Sequence, residues 1–202
     1  MNIAKITTGT IEENCYLVWT EHDLLIVDPG ADSEKILQAI KQTESTPVAI
    51  LLTHTHFDHI GAVDELRDFY QVPVYVSPLE KTWLQDSQLN LSGSLMITAR
   101  PAEFEWEMKE YVIGTIHFKV VPTPGHSIGS VSFIFDDFVI AGDALFNGSI
   151  GRTDLYTGNL EQLLASIKTQ LFTLDDSLTV YPGHGPATTI GHEKQTNPFF
   201  NH

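Results

Sequence analysis

The chain has 202 residues and a formal net charge of -15, with 42% hydrophobic and 18% charged residues. This length is enough for one domain with a buried core, and the composition is that of a globular protein and not of a disordered one. The excess of acidic residues argues against binding to nucleic acids or to anionic membranes, because both require a basic surface.

The first half of the chain alternates strand and helix patterns. Asp32 or Ser33 is the expected N-cap of the first helix, since both are good capping residues. This alternation predicts βαβ units. The predicted elements are strands at residues 3–8, 15–19, 24–28, 48–52 and 73–76 and helices at residues 31–42 and 61–70.

The second half begins with residues 85–101, which are polar, lack a clear period and are predicted to form a long loop. Apolar residues between 160 and 171 recur on one helical face. Strand pairs followed by helices in both halves predict two sheets face to face with helices outside, in a single domain over residues 1–202. The further predicted strands are residues 111–113, 117–121, 131–135, 138–141 and 178–181.

Cys15 is the only cysteine, which excludes an intrachain disulfide and fits a reducing compartment. The first residues lack the apolar core of a secretory signal, and no run approaches the ~18 apolar residues that span a membrane. We therefore expect a cytoplasmic protein in which Cys15 is a small packing residue of a strand.

Residues 53–59 read Thr-His-Thr-His-Phe-Asp-His and contain three imidazoles and a carboxylate. Imidazole is the usual nitrogen ligand of zinc and iron, and carboxylate completes such sites. Placing four such groups close together costs free energy through desolvation and mutual repulsion unless a cation lies among them. The segment lies between a predicted buried strand and a predicted helix, where α/β proteins place active sites. The predicted metal ligands of this segment are His54, His56, Asp58 and His59.

Three later turns supply further ligand candidates. His126, Asp143 and His184 each follow a predicted strand and a glycine, which allows the backbone to approach closely. Their order after the histidine-rich segment favours one shared metal cluster over three unrelated turns. The remaining histidines fall outside every motif and are predicted to be surface or strand residues: His22, His117, His192 and His202.

These motifs resemble those of the metallo-β-lactamase superfamily, and the resemblance covers essentially the whole chain. It implies a four-layer αββα sandwich and two divalent metal ions, zinc, with iron or manganese as alternatives. Asp143 would bridge both metals. Asp28, in the motif Val-Asp-Pro-Gly, would support the ligands from behind, with a simple turn residue as the alternative. The implied ligands are His54, His56 and His126 for the first metal and Asp58, His59 and His184 for the second.

Within the superfamily, the chain is similar to the short, single-domain bacterial form of glyoxalase II, the hydroxyacylglutathione hydrolases. The resemblance implies hydrolysis of a small-molecule thioester such as S-lactoylglutathione. Two-domain glyoxalase II enzymes hold glutathione with basic residues of a C-terminal extension, so the thiol carrier stays open here, as does the oligomeric state. The resembling stretches are residues 13–17, 142–146, 151–155, 183–186 and 191–200.

The implied metal pair suits this chemistry, because cations that share a water lower its pKa to about 7. The resulting metal-bridging hydroxide attacks a carbonyl without a serine or cysteine nucleophile. Asp58 is the predicted catalytic residue, since it could orient the hydroxide and accept its proton. Arg152 is expected either to bind a substrate carboxylate or to be an exposed structural arginine. Phe57 is expected either to line the pocket or to pack against the sheet.

Other functions remain as alternatives. A mononuclear-iron persulfide dioxygenase would use His54, His126 and Asp143 and leave coordination positions open for oxygen; the Gly-Arg-Thr-Asp-Leu of residues 151–155 also occurs in that family. A β-lactamase or lactonase is a further hydrolytic alternative. A non-catalytic metal-binding module is disfavoured because all seven ligand types are present. The acidic surface disfavours a nuclease.

Overall fold

The computed structural model describes residues 1–200 of the chain. Contacts divide it into two compact units, each built around one six-stranded sheet. The first unit comprises Met1–Trp106 with Val112–His117, and the second comprises Glu107–Tyr111 with the residues from Phe118 onward. The single domain over residues 1–202 stays a prediction. Among the helices of residues 1–200, none combines the length and the apolarity needed to cross a membrane.

The first unit contains the predicted alternation of strands and helices. Its elements are β1 (Asn2–Thr8), β2 (Glu13–Trp19), β3 (Asp23–Val27), α1 (Ser33–Lys41), β4 (Thr46–Leu51), α2 (Val63–Tyr70), β5 (Val74–Val76) and β6 (Phe104–Glu105). The sheet order follows the chain from β1 to β6. Strands β1 to β3 pair antiparallel, whereas β3 to β6 pair parallel. The predicted βαβ units are therefore confirmed.

The core of the first unit lies between this sheet and its two helices. Ile36 of α1 and Leu66 of α2 pack in one cluster with Ile26 and Ile50 of the central strands. Burying an aliphatic side chain of this size contributes roughly 1.5–3 kcal/mol. Cys15 is fully buried in β2, as predicted, and burial raises the pKa of its thiol well above the usual value.

Both helices of the first unit begin differently from the simple sequence pattern. Asp32 is the N-cap of α1, but its backbone has φ +53° and its carboxylate accepts a hydrogen bond from the Gly9 amide (3.0 Å) instead of capping the helix. Helix α2 begins at Val63 and not at residue 61. Ala62 is its N-cap, with φ -100° and ψ 2°, and the Ala62 amide donates to the Pro29 carbonyl (2.9 Å).

The remaining elements lie in the second unit, apart from parts of two strands. These elements are β7 (Glu110–Ile113), β8 (Ile116–Pro122), β9 (Val131–Ile134), β10 (Phe138–Gly142), β11 (Leu145–Phe146), β12 (Ser149–Ile150), α3 (Leu160–Ser166), β13 (Thr179–Pro182), β14 (Thr188–Thr189) and α4 (Ile190–Thr196). Val112 and Ile113 of β7 and Ile116 and His117 of β8 belong to the first unit. The sheet order is β14-β13-β10-β9-β8-β7, and β11 and β12 form a separate hairpin. Strands β10 and β13 are parallel, so their carboxyl ends lie at the same edge.

The core of the second unit is formed by α3, the π-helical turn that follows it and the central strands of the sheet. Leu163 of α3 and Leu171 of the following π-helical turn (Ile167–Leu171) pack in one cluster with Val139 and Val180. The predicted helical face between residues 160 and 171 is thus confirmed for Leu163, Ile167 and Leu171, which are buried, whereas Leu160 is exposed. The sequence did not predict β6, β11, β12 and β14, because strands of two residues are too short to show an alternating pattern.

Candidate metal centre

The first group of predicted ligands lies on the loop that follows β4. We call residues 53–59 the metal loop. His54, His56 and His59 are buried, whereas Asp58 is partly exposed, with 12% of its side-chain surface accessible. The segment Phe57–His59 forms one 3₁₀ turn, closed by a hydrogen bond from the His59 amide to the His56 carbonyl (3.0 Å). This turn brings His59 back towards the other two imidazoles.

Ring distances show how tightly this group is gathered. The ring centroid of His54 lies 4.7 Å from that of His56 and 4.1 Å from that of His59. The Nε2 atom of His59 lies 3.6 Å from Oδ2 of Asp58. Ligand atoms of Asp28, His54 and His59 all lie within 4.8 Å of one another. A buried cluster of imidazoles and carboxylates at these distances has the donor chemistry of a divalent-metal site.

Asp28 lies at the end of β3 and contacts the metal loop directly. Its Oδ1 accepts a hydrogen bond from the Thr53 amide (2.7 Å), and its Oδ2 accepts one from the Thr53 hydroxyl (2.6 Å). Its Oδ2 also lies 3.1 Å from Nδ1 of His59. A carboxylate on Nδ1 fixes the ring orientation and directs Nε2 towards a metal. These contacts are the ones expected of a residue that supports the ligands.

The second group of predicted ligands lies at one edge of the second sheet. His126 follows β8, Asp143 follows β10 and His184 follows β13. Oδ2 of Asp143 lies 3.5 Å from Nε2 of His126 and 3.7 Å from Nε2 of His184. The Gly183 amide donates to the Gly142 carbonyl (2.8 Å), which joins two of these turns. One carboxylate oxygen thus faces two imidazole nitrogens, the arrangement expected of shared metal ligation.

His126 is oriented by the loop that carries Arg152. Its Nδ1 lies 2.8 Å from the Arg152 carbonyl oxygen, so Nδ1 is the protonated nitrogen and Nε2 faces Asp143. Gly151 is required for this approach, because a Cβ there would lie 1.8 Å from the Asp143 carbonyl.

The Arg152 side chain is exposed and pairs with both carboxylate oxygens of Asp154 (2.8 and 2.9 Å). This pairing lowers the pKa of Asp154 to about 2.

The seven predicted ligands therefore form two groups, four in the first unit and three in the second. That the two groups hold one metal pair together stays a prediction.

Phe57 is half-buried, and its amide donates to the Asn90 carbonyl (2.9 Å) of the predicted long loop. Of the histidines outside the motifs, His22, His117 and His192 are exposed, as predicted. His202 lies outside the described residues.

Two buried glutamates lie next to the metal loop and were not predicted as functional residues. Glu80 accepts hydrogen bonds from the amide and the hydroxyl of Thr55 (2.9 and 3.0 Å). Glu13 accepts one from the Thr8 hydroxyl (2.6 Å) and approaches Nδ1 of His59 (3.8 Å). Burial raises the pKa of Glu13 well above its usual value. Neither glutamate belongs to a ligand motif, and burial of a carboxyl group leaves no local pattern in a sequence.

The hairpin of β11 and β12 is held beside His184 by the C-terminal helix. Glu193 of α4 is fully buried and accepts hydrogen bonds from the Gly148 amide (3.0 Å) and the Asn197 side chain (2.7 Å). The ring of Phe146, on this hairpin, lies 6.3 Å from that of His184. Helix α4 was not predicted, although the resembling stretch 191–200 lies largely within it. The helix therefore holds the hairpin that lies beside one candidate ligand.

We expect the substitution Gly30→Ala to destabilise the metal loop. A Cβ at this position would lie 1.7 Å from the Asp58 carbonyl oxygen and 2.6 Å from a carboxylate oxygen of Glu13, so the backbone has to shift. Overpacking of this kind costs about 1–3 kcal/mol. Urea denaturation of the metal-stripped protein measures the loss. An unchanged free energy of unfolding would show that the loop yields without strain.

Comparison with known proteins identifies the family. The profile of the metallo-beta-lactamase superfamily matches residues 8–184. The probable metallo-hydrolase YqgX of Bacillus subtilis is 48% identical, over 100% of this chain and 98% of its own. The hydroxyacylglutathione hydrolase GloC of Haemophilus influenzae is 36% identical, over 100% of this chain and 99% of its own. Both relatives match this chain over almost their entire length.

Solved structures confirm the predicted fold class. The BLEG-1 B3 metallo-beta-lactamase is 44% identical and superposes with a TM-score of 0.96, with 100% of both chains covered. TTHA1623 in a di-iron-bound form is 39% identical, with a TM-score of 0.86 over 97% of this chain and 99% of that one. ETHE1 from Myxococcus xanthus is 32% identical, with a TM-score of 0.79 over 98% and 84%. The chain therefore belongs to the metallo-β-lactamase superfamily.

Proposed function

We propose that this protein is a metal-dependent thioester hydrolase of the glyoxalase II type, acting in the cytoplasm on a small molecule such as S-lactoylglutathione. The observation that carries the proposal is the pair of ligand groups, the three buried imidazoles of the metal loop and the Asp143 carboxylate that faces two more. The 36% identity to a hydroxyacylglutathione hydrolase over the full chain favours this substrate class.

The proposed ligands belong to two divalent metal ions, zinc in the first place. His54, His56 and His126 would hold one ion, Asp58, His59 and His184 the other, and Asp143 would contact both. The donor set of nitrogen and carboxylate oxygen atoms fits zinc, and equally fits iron, with which one similar structure was solved. Bound metal ions polarise a carbonyl group and lower the pKa of water, which supplies a nucleophile at neutral pH.

The protein residues would contribute orientation and proton transfer. Asp58 is partly exposed, and its Oδ2 lies 3.6 Å from Nε2 of His59. Oδ2 of Asp58 is the atom that would accept a proton from the attacking water. A thioester suits such a site, because a thiolate is a good leaving group and needs little protonation. Phe57, half-buried in the metal loop, is proposed as a substrate contact.

Arg152 is proposed as a second substrate contact, although its side chain already has a partner. Its guanidinium pairs with Asp154 in two parallel hydrogen bonds. A substrate carboxylate would have to replace or join Asp154 as the partner. Because both side chains are largely exposed and water screens the pair, exchanging the partner of Arg152 costs little free energy.

β-Lactam hydrolysis is a second candidate, favoured by the 44% identity to the BLEG-1 B3 metallo-beta-lactamase. The same protein preparation tests both, with S-lactoylglutathione, a cephalosporin and a persulfide as parallel substrates and elemental analysis of the metal. We expect thioester cleavage to have the highest kcat/KM. Higher kcat/KM for the cephalosporin would favour the second candidate. Oxygen consumption with one iron per chain would favour a persulfide dioxygenase. Absence of turnover with all three substrates would favour a non-catalytic module.

A further inference from the structure

The metal loop follows the middle one of three parallel strands, and a buried carboxylate reaches it from each neighbouring strand. Strands β3, β4 and β5 are adjacent and parallel, so their carboxyl ends lie at the same edge of the sheet. Asp28 comes directly after β3, the metal loop after β4, and Glu80 in the turn after β5. Asp28 and Glu80 are 1% and 0% exposed.

The two carboxylates contact the loop in the same way. Asp28 accepts hydrogen bonds from the amide and the hydroxyl of Thr53 (2.7 and 2.6 Å). Glu80 accepts them from the amide and the hydroxyl of Thr55 (2.9 and 3.0 Å), both at Oε2. The two threonines flank His54 and are themselves buried. The backbone that carries His54 and His56 is therefore fixed at alternate residues by charge-assisted hydrogen bonds.

Glu80 is itself held firmly. Its amide donates to the Ser77 carbonyl (3.0 Å), and its carbonyl accepts from the Trp83 amide (2.9 Å), so the residue lies within a closed turn. The ring of Trp83 stacks near that of His56, with centroids 6.5 Å apart. This turn thus contacts the metal loop through a hydrogen-bonded carboxylate and an aromatic ring.

We propose that Glu80 is a positioning residue of the metal centre, acting through Thr55 to hold His54 and His56 in the geometry that binds metal. The inference rests on the proposed function only in that these histidines are metal ligands. It does not depend on the substrate. Residues that orient ligands in this way typically contribute about 10–100-fold to metal affinity.

The test compares metal affinity in the variants Glu80→Ala, Glu80→Gln and Glu103→Gln. Glu103 is the matched control, because it lies in the same unit and its carboxylate also accepts a backbone amide, that of Val74 (2.8 Å). Each protein is stripped with a chelator, and its zinc dissociation constant is measured by competition with a chromophoric chelator. Unfolding by urea is followed in parallel, to separate lost affinity from lost structure.

We expect Glu80→Ala to raise the zinc dissociation constant by about 10–100-fold, and Glu80→Gln to raise it less because the amide oxygen still accepts from Thr55. Glu103→Gln should leave it unchanged. The cobalt(II) absorption spectrum should change in Glu80→Ala, since looser histidines alter the coordination geometry. If Glu80→Ala fails to fold, Thr55→Val removes one of the two donors and should weaken zinc binding in the same direction.

Two results overturn the proposal, and they are distinguishable. The first result is a folded Glu80→Ala protein whose zinc affinity and cobalt(II) spectrum equal those of the wild type. If Glu80→Ala does not fold, the same result in folded Thr55→Val counts instead. Either result would show that Glu80 is only a structural residue. A wild-type protein that binds no zinc would overturn the metal centre itself, and this inference with it. Absence of thioester cleavage alone would count against the substrate, whereas the role of Glu80 is decided by the zinc affinity.

Discussion

Turnover should fall by about 10²–10⁴-fold when Asp58 is replaced by asparagine, the range expected when a general base is removed. The asparagine oxygen can still contact a metal, but it cannot accept a proton at neutral pH. Asp58 lies in a 3₁₀ turn and is partly exposed, so an isosteric change leaves the packing intact. The rate is measured at saturating zinc and divided by the measured metal content, which separates proton transfer from metal loss.

Asp68→Asn is the matched control for this substitution. Asp68 is an exposed carboxylate of α2, in the same unit, which pairs with Arg100 at the surface. Surface pairs of this kind contribute little to stability because water screens them, so the rate and stability of the control should stay near those of the wild type. Wild-type turnover in Asp58→Asn would show that another group takes the proton.

The second large effect is expected from His126→Ala, which should lower both metal content and rate. His126 is buried, its Nδ1 is fixed by the Arg152 carbonyl, and its Nε2 faces Asp143. Loss of a ligand should weaken metal binding by more than the roughly 10–100-fold typical of a supporting residue. Elemental analysis after gel filtration, with zinc titration of the stripped protein, measures the loss.

His192→Ala controls for the general loss of a histidine in the second unit, since His192 is exposed on α4. We expect wild-type metal content in this variant. His126→Ala also leaves a buried gap, so urea denaturation of both stripped variants shows how much of the effect is structural. Unchanged zinc affinity in folded His126→Ala would remove this residue from the proposed ligand set.

Much of the fold could be predicted because its signals are local. The parallel strands β3 and β4 are covered on both faces, so each is an apolar run that is visible in the sequence. Helix α3 and the π-helical turn that follows it show their buried face through the spacing of Leu163, Ile167 and Leu171. The predicted start of α2 was wrong by two residues: Gly61 and Ala62 belong to the turn before the helix, where the Ala62 amide donates to Pro29, which lies far away in the chain.

The candidate ligands could be named from the sequence alone, since histidine and aspartate occur in a fixed order after strand ends; that they bind metal stays a prediction. Their supporting residues could not be named in this way, except for Asp28 in its recognisable motif. Glu80 and Glu193 are ordinary glutamates in the sequence, and both are fully buried. Arg152 differs from these glutamates, because the sequence left a substrate contact and an exposed arginine equally open, and only the structure shows that Asp154 pairs with its guanidinium.

The sequence by itself determined the superfamily motifs, the order of the main strands and helices, and the set of candidate metal ligands. These properties depend on residue type and short-range spacing. Only the tertiary structure revealed that Glu80 reaches the metal loop from β5, on the side of β4 opposite to Asp28, and that α4 holds the hairpin next to His184. Such contacts join residues far apart in the chain, and a buried hydrogen bond leaves no periodic pattern in the sequence.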